Sequence, residues 1–264
     1  MSRLEFSAYR DHLAAESRRF RDVLADCDPA ARVPGCPDWD AADLLWHLTG
    51  VQHFWASIIN QRPTGPESLE EPVRPEGYGA LLEAFDTASS GLVAALDAAE
   101  PGEVAWSWAP EQTVGFTFRR QAHEALIHRL DAEQTAGEVT PLDTALAADG
   151  VDEALAVMFG GCPDWGTFIG VAHFVRVDLT DTHESIWVEL GQFTGTDPDT
   201  EVTYDEPDIS VVPAPAVEAD AVVSGTAAEL DAWLWRRGDD ENISVTGNRD
   251  VYDRFRAAVN NPIN

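Results

Sequence analysis

Apolar residues recur every three to four positions through most of the first half of the chain, which is the spacing of amphipathic helices. Asp38 or Asp40 is placed to cap the second of these helices, and Gly137 is placed to end the fourth. Four long helices, with a long connection between the third and the fourth, predict a four-helix bundle. The predicted helices cover about residues 4–26, 40–58, 76–99 and 117–135.

The second half changes to short segments rich in β-branched and aromatic residues, which predict strands. Thr226 and Glu229 have the spacing of a capping box, which predicts a helix that Gly238 would end. The pattern predicts an α+β domain, whose boundary falls near Gly137–Thr144 or one helix later around Gly160-Gly161. We place the two domains at residues 1–145 and 146–264. The predicted strands are Thr167–Thr180, Ser185–Leu190, Glu201–Tyr204, Ile209–Val212, Ala219–Ser224 and Ile243–Thr246, and the other predicted helices lie near Leu142–Phe159 and Arg249–Val259.

Charge excludes several classes of function. The 264 residues include 47 acidic and 17 basic residues, a formal net charge of -30, and every basic residue is arginine. Without lysine there is no Schiff-base enzyme and no standard P-loop. Nucleic acids and anionic membranes are disfavoured as partners, because phosphate contacts need a basic surface.

Cysteine usage and hydropathy indicate a cytoplasmic protein. Cys27, Cys36 and Cys162 form no CxxC pair, so neither a disulfide framework nor a cysteine zinc site is expected. The N-terminus lacks the apolar stretch of a signal peptide, and no apolar run approaches the ~20 residues that cross a bilayer. We expect a monomer with reduced thiols.

Histidines on two predicted helices are the strongest candidates for chemistry. Glu124 and His128 are four residues apart and therefore share one helix face. His47 lies within the apolar second helix, and bundle ligands project inward from facing helices. His47, Glu124 and His128 would form a His₂Glu metal site with an open fourth position, as in catalytic zinc sites. His123 points elsewhere, to a position behind the ligands or at the surface.

Each signal also has an ordinary explanation. A single histidine on an apolar face is more often a hydrogen-bonded core residue than a ligand. A Glu–His pair at this spacing usually marks a solvated helix face. Tryptophans such as Trp46 usually belong to a core, although they can line a ligand pocket.

Two longer motifs resemble the mycothiol-dependent maleylpyruvate isomerase family. The first runs from Cys36-Pro37-Asp38-Trp39 through Leu44-Leu45-Trp46-His47 to His53-Phe54-Trp55. The second is Arg119-Arg120-Gln121-Ala122-His123-Glu124-x₃-His128-Arg129-x-Asp131.

The resemblance implies a DinB-like four-helix bundle followed by a C-terminal α+β domain of sterol-carrier-like shape. It implies the same three ligands, His47, Glu124 and His128, with Trp46 and His53 near the site. The segment from Leu230 to Gly238 is similar to the family's last helix, so the family's active-site arginine would be Arg237 or, less closely, Arg236.

The resemblance also implies a function, with a divalent metal (zinc) as cofactor and the actinobacterial thiol mycothiol as co-substrate. A metal-activated thiolate would attack a small electrophile, either as a cis–trans isomerase or as a thiol S-transferase. The alternative is a non-catalytic protein in which the metal only stabilises a ligand-binding fold.

Overall fold

A computed structural model describes residues 3–260 and divides the chain into two compact units. The first unit is Leu4–Pro141, and the second begins at Leu142. Within the described residues, no helix is long and apolar enough to cross a membrane.

The first unit is built on four long helices, as predicted. Its elements are α1 (Phe6–Ala25), β1 (Arg32–Val33), β2 (Cys36–Asp40), α2 (Ala41–Gln61), α3 (Tyr78–Asp97) and α4 (Val114–Ala136), with a 3₁₀ turn at Pro66–Ser68.

Local signals explain where these helices begin and end. Asp40 and Asp43 form a reciprocal capping box at the start of α2. The Thr113 side chain accepts a hydrogen bond from the backbone of Phe116 at the start of α4, and Gly137 ends α4 in the left-handed region with φ 83°.

The short hairpin β1–β2 was not predicted from the sequence, which indicated only a break before α2. Val33 pairs with Cys36 and Arg32 with Asp40, so the hairpin leads the chain directly into the Asp40 cap. Strands this short leave no period-two pattern.

Helix α4 is buried along most of its length. Every residue from Val114 to Glu133 is buried, including nine charged or strongly polar side chains between Arg119 and Glu133. Buried polar groups require partners, so the contacts of α4 decide what the first unit can do.

The second unit is a five-stranded sheet with helices, in the order β5-β4-β3-β6-β7. Strands β3 and β6 are parallel, and the other pairs are antiparallel. Alternate strand residues and the buried faces of the helices form one apolar core. The elements are α5 (Thr144–Glu153) with a π-helical turn at Ala154–Phe159, β3 (Gly166–Leu179), β4 (Glu184–Thr196), β5 (Thr203–Val212), β6 (Ala221–Gly225), α6 (Ala227–Leu234), β7 (Ser244–Gly247) and α7 (Arg249–Ala258).

The predicted α+β class, with a helical N-terminal bundle, is confirmed, but three boundaries were wrong. The two short strands predicted around Tyr204 and Ile209 are one strand, β5, which tolerates Pro207 because it lies at the sheet edge. Strand β4 continues to Thr196, beyond the predicted end at Leu190. Helix α6 ends at Leu234, before the predicted stop at Gly238, and the left-handed residue that follows is Arg236.

Candidate functional site

Three side chains of the first unit converge on one point. His47 comes from α2, and Glu124 and His128 come from α4; one potential ligand atom from each lies within 4.8 Å of the others. The carboxylate Oε1 of Glu124 is 3.7 Å from His47 Nε2 and 3.1 Å from His128 Nε2. The geometry therefore brings together the three residues that the sequence selected.

Helix geometry explains the convergence. Glu124 and His128 lie one turn apart on α4, and His47 lies two turns after the Asp40 cap that fixes the start of α2. The imidazoles of His47 and His128 meet edge to face, with ring centroids 4.8 Å apart.

Two further charged residues of α4 hold the ligands in place. Asp131 Oδ2 lies 3.0 Å from His128 Nδ1, and Arg120 Nη2 donates a 2.9 Å hydrogen bond to Glu124 Oε2. A carboxylate behind a histidine ligand fixes its orientation and raises its basicity. Neither role was predicted from the sequence, although Asp131 is three residues from His128 and Arg120 is four from Glu124, and both spacings place residues on one helix face.

Trp39, at the end of the hairpin, covers the histidines. Its ring centroid is 4.6 Å from that of His47 and 6.5 Å from that of His128. The unpredicted hairpin thus supplies one wall of the site.

The electrostatics of the cluster favour a cation. Burial lowers the pKa of His128, but hydrogen bonds to Asp131 and Glu124 outweigh it and raise the pKa to about 9. Burial raises the pKa of Glu124, yet its hydrogen bond with His128, the nearby His47 ring and the charge of Arg120 bring it well below the usual value. Glu124 is therefore ionised. The His128 ring is a protonated cation unless a metal ion binds in place of one of its two protons.

The residues fit a divalent metal. The Nε2 atom of His47 is buried, has no hydrogen-bond partner and points toward the same carboxylate oxygen as His128 Nε2. A metal would satisfy that nitrogen and replace the proton of His128. Two imidazole nitrogens and one carboxylate oxygen are a donor set that suits zinc.

Family models match both units of the chain. The model of the mycothiol maleylpyruvate isomerase N-terminal domain matches residues 10–133, and that of the C-terminal domain of the same family matches residues 145–254. The chain belongs to the mycothiol maleylpyruvate isomerase family. The predicted family is thereby confirmed.

Solved structures agree on the fold. Crystal structures of the mycothiol-dependent maleylpyruvate isomerase and of its histidine-to-alanine variant each superpose with a TM-score of 0.58. Their sequence identities are 14% and 15%, and each match covers 92% of this chain and 93% of the other. No curated protein matches the chain.

The remaining predicted site residues occupy different places. His123 is buried against Tyr9, with ring centroids 6.1 Å apart, so it is not at the surface. Trp46 and His53 line a groove of about 380 Å³ on the same helix as His47, which we call the α2 groove. It is lined by Trp46, Gly50, His53, Phe54 and Ser57 of α2 and by Pro66, Leu69, Glu70, Glu71 and Pro72 of the following loop.

Arg237 belongs to the second unit and follows α6. Its side chain is partly buried, and Nη1 donates a 2.6 Å hydrogen bond to the backbone oxygen of Trp235. The neighbouring Arg236 is exposed. The family resemblance named Arg237 and Arg236 as candidates for the active-site arginine. Of the two, Arg237 has the side chain whose position is more restricted.

Proposed function

We propose that this protein is a mycothiol-dependent isomerase that uses a divalent metal, zinc by preference, to act on a small cis-unsaturated oxo-acid. The observation that carries the proposal is the cluster of His47, Glu124 and His128 in a chain matched by family models over both units. Neutral imidazoles with one carboxylate leave a positive charge on a bound ion and a position for a further ligand.

A divalent metal bound there supplies Lewis-acid chemistry that lowers the pKa of a thiol. The thiolate sulfur adds to one carbon of the cis double bond, and the electron pair moves toward the oxo group. Rotation about the resulting single bond and expulsion of the thiolate give the trans isomer, so the thiol is regenerated.

The chain's own residues hold this arrangement. His47, Glu124 and His128 would be the ligands, Asp131 accepts a hydrogen bond from Nδ1–H of His128, and Arg120 donates a hydrogen bond to the second oxygen of Glu124. Such support keeps a ligand set in the productive geometry before any reactant arrives.

Arg237 is proposed to hold a carboxylate of the electrophile, because a guanidinium binds a carboxylate with two parallel hydrogen bonds. Arg237→Ala should lower turnover of a carboxylate substrate with the metal content intact. Equal turnover in Arg237→Ala and the wild type would remove this arginine from the mechanism.

The test combines metal analysis with an isomerisation assay. Protein purified without a metal-affinity tag should contain or take up one divalent ion and convert maleylpyruvate to its trans isomer only when mycothiol is present. His47→Ala should lose both properties, whereas His12→Gln, a histidine change on α1, should keep them.

Other results would redirect the assignment. Accumulation of an electrophile–thiol adduct would indicate an S-transferase. Metal uptake that raises the melting temperature without thiol binding or turnover would indicate the non-catalytic alternative.

A further inference from the structure

The α2 groove combines aromatic and acidic groups. Trp46 and Phe54 contribute aromatic surface from α2, and Leu69 adds apolar surface from the loop. Glu70 and Glu71 of the same loop are exposed, and neither has an ion-pair or hydrogen-bond partner among residues 3–260. Their oxygens are therefore available to accept hydrogen bonds from a ligand.

The groove lies on the face of α2 next to the one that carries His47. At 100° per residue, its five α2 residues lie between about 20° (Phe54) and about 120° (His53) around the helix from His47. At about 1.5 Å rise per residue, Ser57 lies about 15 Å along the axis from His47. A ligand that starts near His47 and reaches Ser57 would therefore span about 15 Å.

Gly50 keeps the groove open. A Cβ atom at this position would meet no atom within 4 Å, and the same holds for Gly91 on α3. Glycine in the interior of a helix lowers the stability of the helix. At position 50 it therefore leaves room in the groove at a cost in helix stability. Gly50 can therefore be replaced without a clash with neighbouring atoms.

The charge of the groove decides which kind of molecule it takes. Two unpaired carboxylates in a chain with a net charge of -30 disfavour an anionic oxo-acid. A sugar ring presents an apolar C–H face to an aromatic floor and hydroxyl donors to carboxylates. His53 and Ser57 add further polar groups along the helix.

We infer that the α2 groove binds the hydroxyl-rich sugar portion of the thiol, while the anionic electrophile binds elsewhere. This inference rests on the proposed function, because the thiol is mycothiol, a cysteine derivative of a glucosaminyl-inositol. The groove then determines which thiol the enzyme accepts, separately from the metal that activates the sulfur.

Calorimetry on the zinc-loaded full-length protein tests the inference with two thiols. Gly50→Leu should weaken mycothiol binding roughly tenfold or more. Binding of N-acetylcysteine, which has no sugar, should not change. Gly50→Ala adds only one methyl group to the groove and should weaken mycothiol binding less than Gly50→Leu does. Gly91→Leu adds the same side chain outside the groove and should match the wild type, and zinc content should be equal in all four proteins.

A thiol-free probe separates this inference from the proposed function. N-acetylglucosaminyl-inositol, which has no sulfur and whose amine is acylated as it is in mycothiol, should bind the wild type and lose affinity in Gly50→Leu, even if no isomerase activity is found. If the probe and mycothiol each bind Gly50→Leu as tightly as they bind Gly50→Ala, the groove assignment is overturned. The proposed isomerase function is unaffected by that result. Strong binding of simple primary amines in place of the sugar would likewise overturn it, in favour of an ammonium site.

Discussion

His128 has a carboxylate at each ring nitrogen, Asp131 at Nδ1 and Glu124 at Nε2. Only Glu124 can share a metal with His128, because Asp131 faces the opposite side of the ring. Asp131 therefore decides which imidazole nitrogen faces the ion, and its effect is measurable apart from catalysis.

Asp131→Asn should weaken zinc binding roughly 10- to 100-fold, as removal of such a carboxylate does at other metal sites. A competition titration against a chromophoric chelator measures the change. Asp86→Asn, which alters an exposed carboxylate paired with Arg21, is the control. A zinc affinity within twofold of the wild type would show that Asp131 does not orient His128.

Trp39 acts on the site through packing. Because its ring lies 4.6 Å from that of His47, Trp39→Ala should free the imidazole to rotate and weaken zinc binding by about two- to tenfold, the range of an aromatic pair energy. Trp39→Phe should retain most of the affinity. Trp108→Ala removes a half-exposed indole that packs on Phe116 and serves as the control; equal affinities in all the variants would contradict a positioning role.

At the scale of elements, one buried carboxylate joins two helices and a loop. Glu133 on α4 accepts hydrogen bonds from Arg19 of α1 (2.7 Å), Arg129 of α4 (2.8 Å) and the backbone of Thr140 (2.8 Å). Burial raises the pKa of Glu133, but these bonds bring it below the usual value.

Glu133→Gln should destabilise the protein by about 1.5–3 kcal/mol at pH 7, because it removes the charged acceptor shared by Arg19 and the buried Arg129, while Arg129 keeps its contact with Glu16. The pKa of Glu133 is lower in the folded protein than its value of about 4.3 in the unfolded chain. Glu133 therefore makes its full contribution to folding stability above about pH 4.3. This contribution is lost as the pH falls through the lower folded pKa, so the two proteins should converge in acid. Urea unfolding at several pH values measures this.

An exposed pair provides the comparison. Asp97→Asn breaks the contact with Arg10, also between two helices, and should cost less than about 1 kcal/mol. Equal losses in Glu133→Gln and Asp97→Asn, or a constant difference down to pH 3, would contradict the role of Glu133.

Elements with local signals were predictable from the sequence, and those fixed by tertiary contacts were not. Asp40, Gly137 and the Thr226 capping box each mark a boundary through a contact within a few residues. The hairpin has too few residues for a pattern, and β5 contains a proline that only its place at the sheet edge permits.

The candidate site divides in the same way. His47, Glu124 and His128 follow from helix spacing and residue chemistry. Trp39 does not, because its position depends on the turn of a hairpin that the sequence did not predict. The groove formed by α2 and a loop of no regular pattern was beyond prediction for the same reason.

At the scale of the whole molecule, each compact unit has its own apolar core. We predict that residues 1–145 fold alone, give a helical circular-dichroism spectrum and take up one zinc ion, because all three ligands lie within them. Residues 146–264, which contain the sheet and no proposed ligand, are the control. A β-rich spectrum or absence of zinc uptake in the first fragment would refute the prediction.

The burial of α4 bears on how such a protein can evolve. Twenty consecutive buried positions carry two of the proposed metal ligands, the residues in contact with them and the Glu133 network. A substitution there disturbs packing and chemistry together. The loop with Leu69, Glu70 and Glu71 is largely exposed and contributes to the groove without belonging to the bundle core. If the proposed thiol site is correct, adaptation to a new thiol would therefore proceed through this loop, while the helix that carries the proposed metal ligands stays unchanged.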